Sequence, residues 1–234
     1  WIVFNGEIYN YLELRSELSS YGYGFRTGSD TEVILAAYEH WGHECLQRFN
    51  GMWGLAIWDK QKHSLFLARD RFGVKPLYYC YDKDSFSFAS EIKALIGKHG
   101  RKFVPNDTAI YDYLLSGALP SPQQGDTFFQ GVYSLPPGHW LFIQPNDTPK
   151  PNQYYHLPVE SHRYDYSKNP SNDVNAYREL FTDAVRLRLR ADVPIGSCLS
   201  GGVDSSSIVC VLNRLMIEGG VTSDLIGEKQ KTFS

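Results

Sequence analysis

Seven consecutive residues, Ser200-Gly201-Gly202-Val203-Asp204-Ser205-Ser206, have the clearest chemical potential in this chain. The apolar run 193–199 before them predicts a buried strand, and apolar residues at helical spacing after them predict a helix that ends at Gly219-Gly220. Because glycine has no Cβ, backbone N–H groups at such a turn can approach a ligand, and the free N–H groups of a helix start attract anions. The serine hydroxyls add further donors. The turn therefore predicts a site for a polyphosphate.

An ordinary strand–helix turn, capped by a Ser or Asp side chain, is the alternative interpretation. Two common phosphate loops are excluded, since no Gly-Lys-Ser/Thr follows as in a Walker A loop and the G-x-G-x-x-G spacing is absent. The heptad resembles the PP-loop of the ATP pyrophosphatases, which cleave ATP between its α and β phosphates to adenylate a carboxylate or a carbonyl oxygen. The resemblance implies that Leu199 to Ser206 bind ATP. It also places Asp204 near Mg²⁺, and a bridging cation explains an acid beside bound phosphate.

Composition limits the class of protein. The 234 residues suffice for one large or two modest domains, and the net charge of −3 argues against nucleic acid or an anionic membrane surface as the main partner. No apolar segment reaches the length of a membrane span. The four cysteines, Cys45, Cys80, Cys198 and Cys210, lie far apart without metal-like spacing. They predict reduced, buried thiols in a cytoplasmic protein.

The first part of the chain predicts helices and paired strands. Trp1 to Phe4 has the character of a buried strand and leads into NGEIYN; since no initiator Met precedes it, we interpret the chain as a segment of a longer protein. Two helices should follow, one with Leu14 and Leu18 on its buried face and one that Gly42 ends. Ser29 or Asp30 is placed to cap the second helix.

Strands that are apolar on both faces set the fold class. Residues 52–58 and 64–68 have this character, and the pattern of residues 77–81 and 85–89 predicts another hairpin. Because antiparallel hairpins usually expose one face, the pattern favours two stacked sheets covered by helices, a four-layer αββα sandwich; a one-sheet α+β fold is the alternative. We expect domains at 1–150 and 173–234, the second beginning an α/β domain with a parallel sheet, and a linker at 151–172.

A set of short motifs extends the resemblance over nearly the whole chain. In order, the chain contains NGEIYN (5–10), GSDTE (28–32), FNGMW (49–53), ARDRFGVKPLY (68–78), FASE (88–91), LPPGH (135–139) and SGGVDSS (200–206). Together these motifs resemble the glutamine-dependent asparagine synthetases or a close relative among the class II amidotransferases. The resemblance implies an N-terminal-nucleophile hydrolase fold for the first domain and a PP-loop domain after it.

The resemblance also implies the residues of a glutaminase site. An amino-terminal cysteine attacks the glutamine amide in that family; it and an Arg motif would precede Trp1, so this segment alone should not hydrolyse glutamine. Asn5 and Gly6 match the oxyanion hole, and Glu7 and Asp30 match the residues that hold the α-ammonium group of glutamine. Read alone, Asn5-Gly6 would suit a tight turn and Glu7 a solvated acid. For the polar cluster of Arg69, Asp70, Arg71 and Lys75 we expect a structural ion-pair role.

Three functions follow from these motifs. The first is ATP-dependent transfer of ammonia from glutamine to the aspartate side-chain carboxylate through an acyl-adenylate, giving asparagine, glutamate, AMP and pyrophosphate. The second keeps the chemistry with a different carboxylate acceptor, or cyclises one to a β-lactam, although the intact NGE and GSD motifs disfavour the lactam-forming relatives. The third is a catalytically silent binding module. The partners implied are the small molecules glutamine, aspartate and ATP, without nucleic acid or membrane. Assembly as a homodimer is a further alternative.

Overall fold

A computed structural model of the chain describes residues 1–96, 104–118, 125–145, 147–157, 170–191, 193, 195–218 and 231–233. The chain divides into two compact units, residues 1–158 and residues 159–234. The elements of the first unit are β1 (Ile2–Ile8), α1 (Tyr11–Ser20), α2 (Asp30–Trp41), a 3₁₀ turn (Gly42–Glu44), α3 (Cys45–Arg48), β2 (Gly51–Asp59), β3 (Ser64–Arg69), β4 (Tyr78–Tyr81), β5 (Phe86–Ala89), α4 (Ile92–Ile96), α5 (Asp107–Ser116), β6 (Val132–Ser134), β7 (His139–Ile143) and β8 (Asn152–Gln153).

Two antiparallel sheets form the centre of the first unit. One has the strand order β1-β2-β3-β7-β8, and the other has the order β5-β4-β6. Between them lies a core of buried residues from both sheets, which includes Ala56, Leu67, Tyr79, Leu135 and Leu141. The inner faces of the two sheets therefore pack on each other.

Helices cover the outer faces of both sheets. Residues of α1, α2 and α3 share a core with alternate residues of β2, among them Leu55 and Ile57, while Leu95 of α4 packs with Cys80 and Val132 of the second sheet. Because successive residues of β2 point to opposite faces, both faces must be apolar. The four-layer αββα sandwich is thus confirmed, and the one-sheet alternative is wrong.

The first strand differs from its prediction. β1 extends to Ile8 and so contains the Asn5-Gly6-Glu7 motif, and it lies at the end of the strand order formed by the described strands. Trp1 is 85% exposed and Val3 is 65% exposed, so the expected burial of residues 1–4 is wrong for that face of the strand. Ile2 and Phe4, on the other face, do pack against the helical core.

The boundaries of α2 follow local chemistry. The Ser29 hydroxyl accepts a hydrogen bond from the Thr31 N–H at 3.1 Å, which confirms Ser29 as the cap. Gly42 ends the helix with φ of 60°, a left-handed conformation that glycine adopts without steric cost. Asp30 is the first residue of the helix rather than its cap, so its carboxylate is available for other contacts.

The second unit contains α6 (Pro170–Leu187), β9 (Gly196–Cys198), α7 (Val203–Ile217) and β10 (Lys231–Phe233). β9 and β10 pair in parallel, which confirms the predicted parallel sheet, and buried residues such as Val185 and Leu212 join α6 to α7. The predicted end of α7 at Gly219-Gly220 and most of the predicted linker lie outside the described residues. α6 begins at Pro170, before the predicted start of the second domain at residue 173. β9 is shorter than the strand predicted for residues 193–199.

The cysteine prediction holds in part. All four thiols are free, and Cys45 and Cys80 are buried, but Cys198 and Cys210 are exposed, so their expected burial is wrong. Both lie on the small parallel unit, whose two described strands and two described helices form a limited core. Burial raises the pKa of the Cys45 thiol to about 12.

In the described part of the chain, none of the helices has the length and apolar character needed to cross a membrane.

Candidate active sites

The hydrogen-bonding pattern of β1 determines which of its N–H groups are free of the sheet. The Trp1 amino group and the Trp58 N–H each bond to the other residue's carbonyl oxygen, at 3.1 and 2.8 Å, and the Tyr9 N–H bonds to Asn50 O at 2.8 Å. In an antiparallel ladder hydrogen-bonded pairs alternate with non-bonded pairs. The register pairs Gly6 with Trp53 and Ile8 with Gly51, so both are non-bonded positions whose N–H groups point away from β2.

Asp30 lies against this free edge of β1. Its Oδ2 accepts the outward-pointing Ile8 N–H at 3.0 Å, and its Oδ1 accepts the Thr31 hydroxyl at 3.3 Å. The Gly6 N–H points to the same side two residues earlier, roughly 7 Å along the strand. Because Asp30 begins α2, the positive end of the helix dipole also stabilises its negative charge. The fold thus brings Gly6 and Asp30 together from separate motifs.

Gly6 cannot be replaced by a larger residue without moving β2. A Cβ on Gly6 would lie 2.7 Å from Trp53 Cα and would overlap the Met52 carbonyl, and φ of Gly6 is +151°. Gly51 faces the same problem on the opposite strand, where a Cβ would overlap the Glu7 carbonyl. The two glycines allow β1 and β2 to approach closely at the end of the ladder that carries Asn5 and Gly6.

Asn5 and Glu7 share the face of β1 that is directed toward the second sheet, because alternate residues of a strand point the same way. Both side chains are partly buried. The Asn5 Nδ2 donates to the Ser90 hydroxyl at 3.2 Å. Ser90 directly follows β5 and was not singled out by the sequence, although it lies within the FASE motif. Only the packing of the two sheets shows this contact.

These groups have the chemistry that amide hydrolysis requires. The Asn5 carboxamide and the Gly6 N–H are donors of the kind that stabilise a developing oxyanion. Asp30 keeps acceptor capacity beyond its two hydrogen bonds, and an ammonium group of a substrate could use it. The structure therefore places the Gly6 N–H and Asp30 at the free edge of β1, and the Asn5 and Glu7 side chains on the face directed toward the second sheet.

The polar cluster around Asp70 is a backbone anchor rather than an ion-pair network. The buried Asp70 carboxylate accepts four backbone N–H groups: Phe72 at 3.1 Å and Val74 at 3.0 Å through Oδ1, and Trp53 at 3.2 Å and Lys75 at 2.9 Å through Oδ2. The ion pairs found among the described residues do not include this cluster. The expected ion-pair role is therefore corrected.

Arg69 completes this anchor on the opposite side of the loop. Its guanidinium donates to the carbonyl oxygens of Gly73, Lys75 and Leu135 at 2.7–2.8 Å and to the Ser134 hydroxyl at 3.0 Å. Burial lowers the pKa of this guanidinium. Together Arg69 and Asp70 hold the loop 71–75 against the end of β2, the strand that pairs with β1.

The Ser200–Ser206 turn joins β9 to α7 in the second unit. Leu199 N bonds to Phe233 O at 2.7 Å, which continues the parallel pairing up to the turn. Gly201 has φ of +80°, and neither Gly201 nor Gly202 has a backbone atom near the position of a Cβ, so the turn is open. It therefore lies at the carboxyl end of the paired strands, where nucleotides bind in many α/β folds.

The first turn of α7 has backbone donors without a helical acceptor among the described residues. Gly202 is the N-cap and receives no side-chain cap, which is contrary to the capped-turn interpretation, and the helical bonding begins with Ser206 N to Gly202 O at 3.1 Å. The N–H groups of Val203, Asp204 and Ser205 come before that bond and have no helical acceptor. Ser200 and Ser205 hydroxyls contact each other at 3.1 Å beside the glycines.

In comparisons with known proteins, two family models match separate parts of the chain. Residues 1–155 match a family model described as a glutamine amidotransferase domain, and residues 176–234 match one described as asparagine synthase. Asparagine synthetase (glutamine-hydrolyzing) 1 of Bacillus subtilis is 38% identical over 234 residues, which is 100% of this chain and 35% of the relative. A putative asparagine synthetase (glutamine-hydrolyzing) 2 of Methanocaldococcus jannaschii is 38% identical over 215 residues, covering 91% of this chain and 40% of the relative.

Two further proteins match over much of the chain. Amidase chry2 of Gibberella zeae is 32% identical over 235 residues, which cover 99% of this chain and 34% of the relative. Among solved structures, the glutamine phosphoribosylpyrophosphate amidotransferase of B. subtilis aligns with a TM-score of 0.46 and 17% identity, covering 93% of this chain and 44% of that chain. The chain spans 34–40% of the length of these three curated relatives.

Proposed function

The chain belongs to the glutamine amidotransferase domain family, whose model matches residues 1–155, and residues 176–234 match the asparagine synthase model; from these two matches we propose that the protein makes asparagine. In this proposal, ammonia from glutamine is transferred to the side-chain carboxylate of aspartate with consumption of ATP. The observation that carries the proposal is the presence, in one chain, of an amide-hydrolysis donor set on β1 and an open strand–helix turn with free N–H groups.

In the glutaminase half, Asn5 and Gly6 stabilise the oxyanion that forms when a nucleophile attacks the glutamine amide. A preorganised donor of this kind lowers the activation barrier by about 2.7–4 kcal/mol. Asp30 and Glu7 supply negative charge for the α-ammonium group of glutamine. Asp30 is suited to this role because its Ile8 and Thr31 contacts hold the carboxylate in place.

In the synthetase half, the N–H groups of Val203, Asp204 and Ser205 bind the polyphosphate of ATP. Aspartate is a poor electrophile as a carboxylate, so its oxygen attacks the α-phosphate, pyrophosphate leaves and an acyl-adenylate forms. Ammonia then displaces AMP to give asparagine. Water enters at the glutaminase step, so the products balance as asparagine, glutamate, AMP and pyrophosphate.

The residues present fit Mg²⁺ in a limited way. The exposed Asp204 carboxylate lies in the first turn of α7, and no cluster of three or more metal-ligating side chains occurs among the described residues. Asp204 would therefore share the cation with phosphate oxygens, as Mg²⁺ commonly does in nucleotide sites. When bound, Mg²⁺ supplies positive charge to the pyrophosphate leaving group.

The test uses the full-length protein with glutamine, aspartate and Mg-ATP, and asparagine, glutamate and AMP are measured by chromatography. We expect Asp204→Ala to abolish asparagine and AMP formation while glutamate release continues. Asp173→Ala, an exposed acid in the first turn of α6, is the matched control and should be active. Asn5→Ala should lower glutamate release by about 10²–10³-fold and leave ammonia-supported synthesis intact.

Three results would contradict the proposal. Formation of ADP in place of AMP would exclude the adenylate route. Synthesis at the wild-type rate by Asp204→Ala would exclude the proposed role of this turn in binding the nucleotide and its cation. Absence of glutamate release from the wild-type protein would favour the catalytically silent module.

A related amidotransferase with another carboxylate acceptor is the second candidate. The match to a protein named amidase chry2 over 99% of the chain supports this second candidate, since that name does not specify aspartate as the acceptor. Replacing aspartate by other carboxylates in the same assay distinguishes the two candidates. The first requires AMP formation to depend on aspartate.

A further inference from the structure

Asn5 is held by a residue from the opposite sheet. Asn5 belongs to β1, the first strand of the five-stranded sheet, whereas Ser90 directly follows β5, an edge strand of the three-stranded sheet. The Asn5 Nδ2 donates to the Ser90 Oγ at 3.2 Å across 85 residues of sequence. We propose that Ser90 is a positioning residue for glutamine hydrolysis, acting through the Asn5 carboxamide. This inference rests on the proposed glutaminase function.

The carboxamide of Asn5 needs such a partner because its own torsion is soft. Rotation about the last side-chain bond of asparagine is broad and roughly two-fold, so the amide NH₂ and the oxygen can exchange places. Only the NH₂ group stabilises an oxyanion; the oxygen would repel it. The NH₂ group has two hydrogens, and Ser90 accepts one of them. The second hydrogen lies in the same plane and remains available to the substrate oxygen.

Ser90 is itself held from two sides. On one side, β5 ends at Ala89, which pairs with Tyr78 of β4. On the other side, α4 begins at Ile92 and packs its buried Leu95 against the outer face of the same sheet. The position of Ser90 therefore depends on sheet pairing and helix packing. A fixed acceptor of this kind preorganises the oxyanion donor before the reaction begins.

The direct test compares Ser90→Ala, Ser90→Thr and Ser87→Ala in the full-length protein. Ser87→Ala removes a buried hydroxyl from β5 itself and controls for loss of a serine in this sheet. We expect Ser90→Ala to lower kcat for glutamate release about 10-fold, less than the 10²–10³-fold loss of an oxyanion donor, with KM for glutamine changed by less than about two-fold. Ser90→Thr keeps the hydroxyl and should restore most of kcat. Synthesis supported by free ammonia should not change in any of the three variants.

The measurement must separate positioning from loss of folded protein. Titration with a diazoketone analogue of glutamine gives the active fraction, and kcat is calculated per active site. An unchanged kcat per active site in Ser90→Ala would overturn the inference, because Ser90 would then only join the sheets. Equal losses in Ser90→Ala and Ser90→Thr would also overturn it, since the hydroxyl would not be the group that matters. If the wild-type protein releases no glutamate, the proposed function itself fails, and this result is distinct from the other two.

Discussion

Replacing Asp70 by asparagine tests the backbone anchor beneath the candidate glutaminase site. Each Asp70 oxygen accepts two backbone N–H groups, those of Phe72 and Val74 on one oxygen and those of Trp53 and Lys75 on the other. Asparagine retains one oxygen, and its NH₂ group would face two N–H donors in a site where the side chain is 1% exposed. Two hydrogen bonds to a charged acceptor are therefore lost.

The size of the effect follows from that count. A hydrogen bond to a charged group contributes about 1.5–3 kcal/mol, so the loss of two should cost roughly 3–6 kcal/mol in the free energy of unfolding. For a domain of this size, 1 kcal/mol lowers the melting temperature by about 2–4 °C. The transition of the amidotransferase unit should consequently fall by on the order of 10 °C.

Differential scanning calorimetry of the full-length protein measures this shift. Asp59→Asn is the control, because Asp59 also accepts two backbone N–H groups, from Gln61 and Lys62, but at an exposed turn and both through Oδ1, so that the one oxygen of asparagine can keep both bonds. We expect a much smaller change in that variant. A decrease for Asp70→Asn no larger than that for Asp59→Asn would refute the reasoning from burial and hydrogen-bond count.

Two further predictions concern titratable groups. With its pKa raised to about 12 by burial, roughly one Cys45 thiol in 10⁴ is ionised at pH 8, so iodoacetamide should modify it only after unfolding in urea; mass spectrometry showing rapid modification of the native protein would contradict this. The N–H groups of Arg26 and Thr27 lower the pKa of the Glu32 carboxyl below its ordinary 4.5, so its carboxylate stabilises the fold above that pH, and the effect is lost as pH falls through the lowered value. The difference in melting temperature between wild type and Glu32→Gln should therefore shrink from pH 7 to pH 3, and a constant difference would argue against it.

Much of the fold could be predicted because its signals are local. The two-sided apolar strands, the Ser29 cap and the Gly42 stop are each properties of a few adjacent residues, and the structure confirms them. The exposure of Trp1 and Val3 could not be predicted, since it depends on which face of β1 is covered: Ile2 and Phe4, on the other face, pack against the helical core. An apolar run by itself does not show which of its faces will be covered.

The candidate site divides in the same way. The sequence by itself determined which residue types are available: an Asn-Gly-Glu motif, an Asp at a helix start and a turn rich in glycine and serine. Only the tertiary structure decided that the Gly6 N–H points off the sheet edge beside Asp30, that Asp70 binds backbone rather than a cation, and that Ser90 reaches Asn5. Register and sheet stacking join residues that are far apart in the chain, and side-chain type alone contains no information about those pairings.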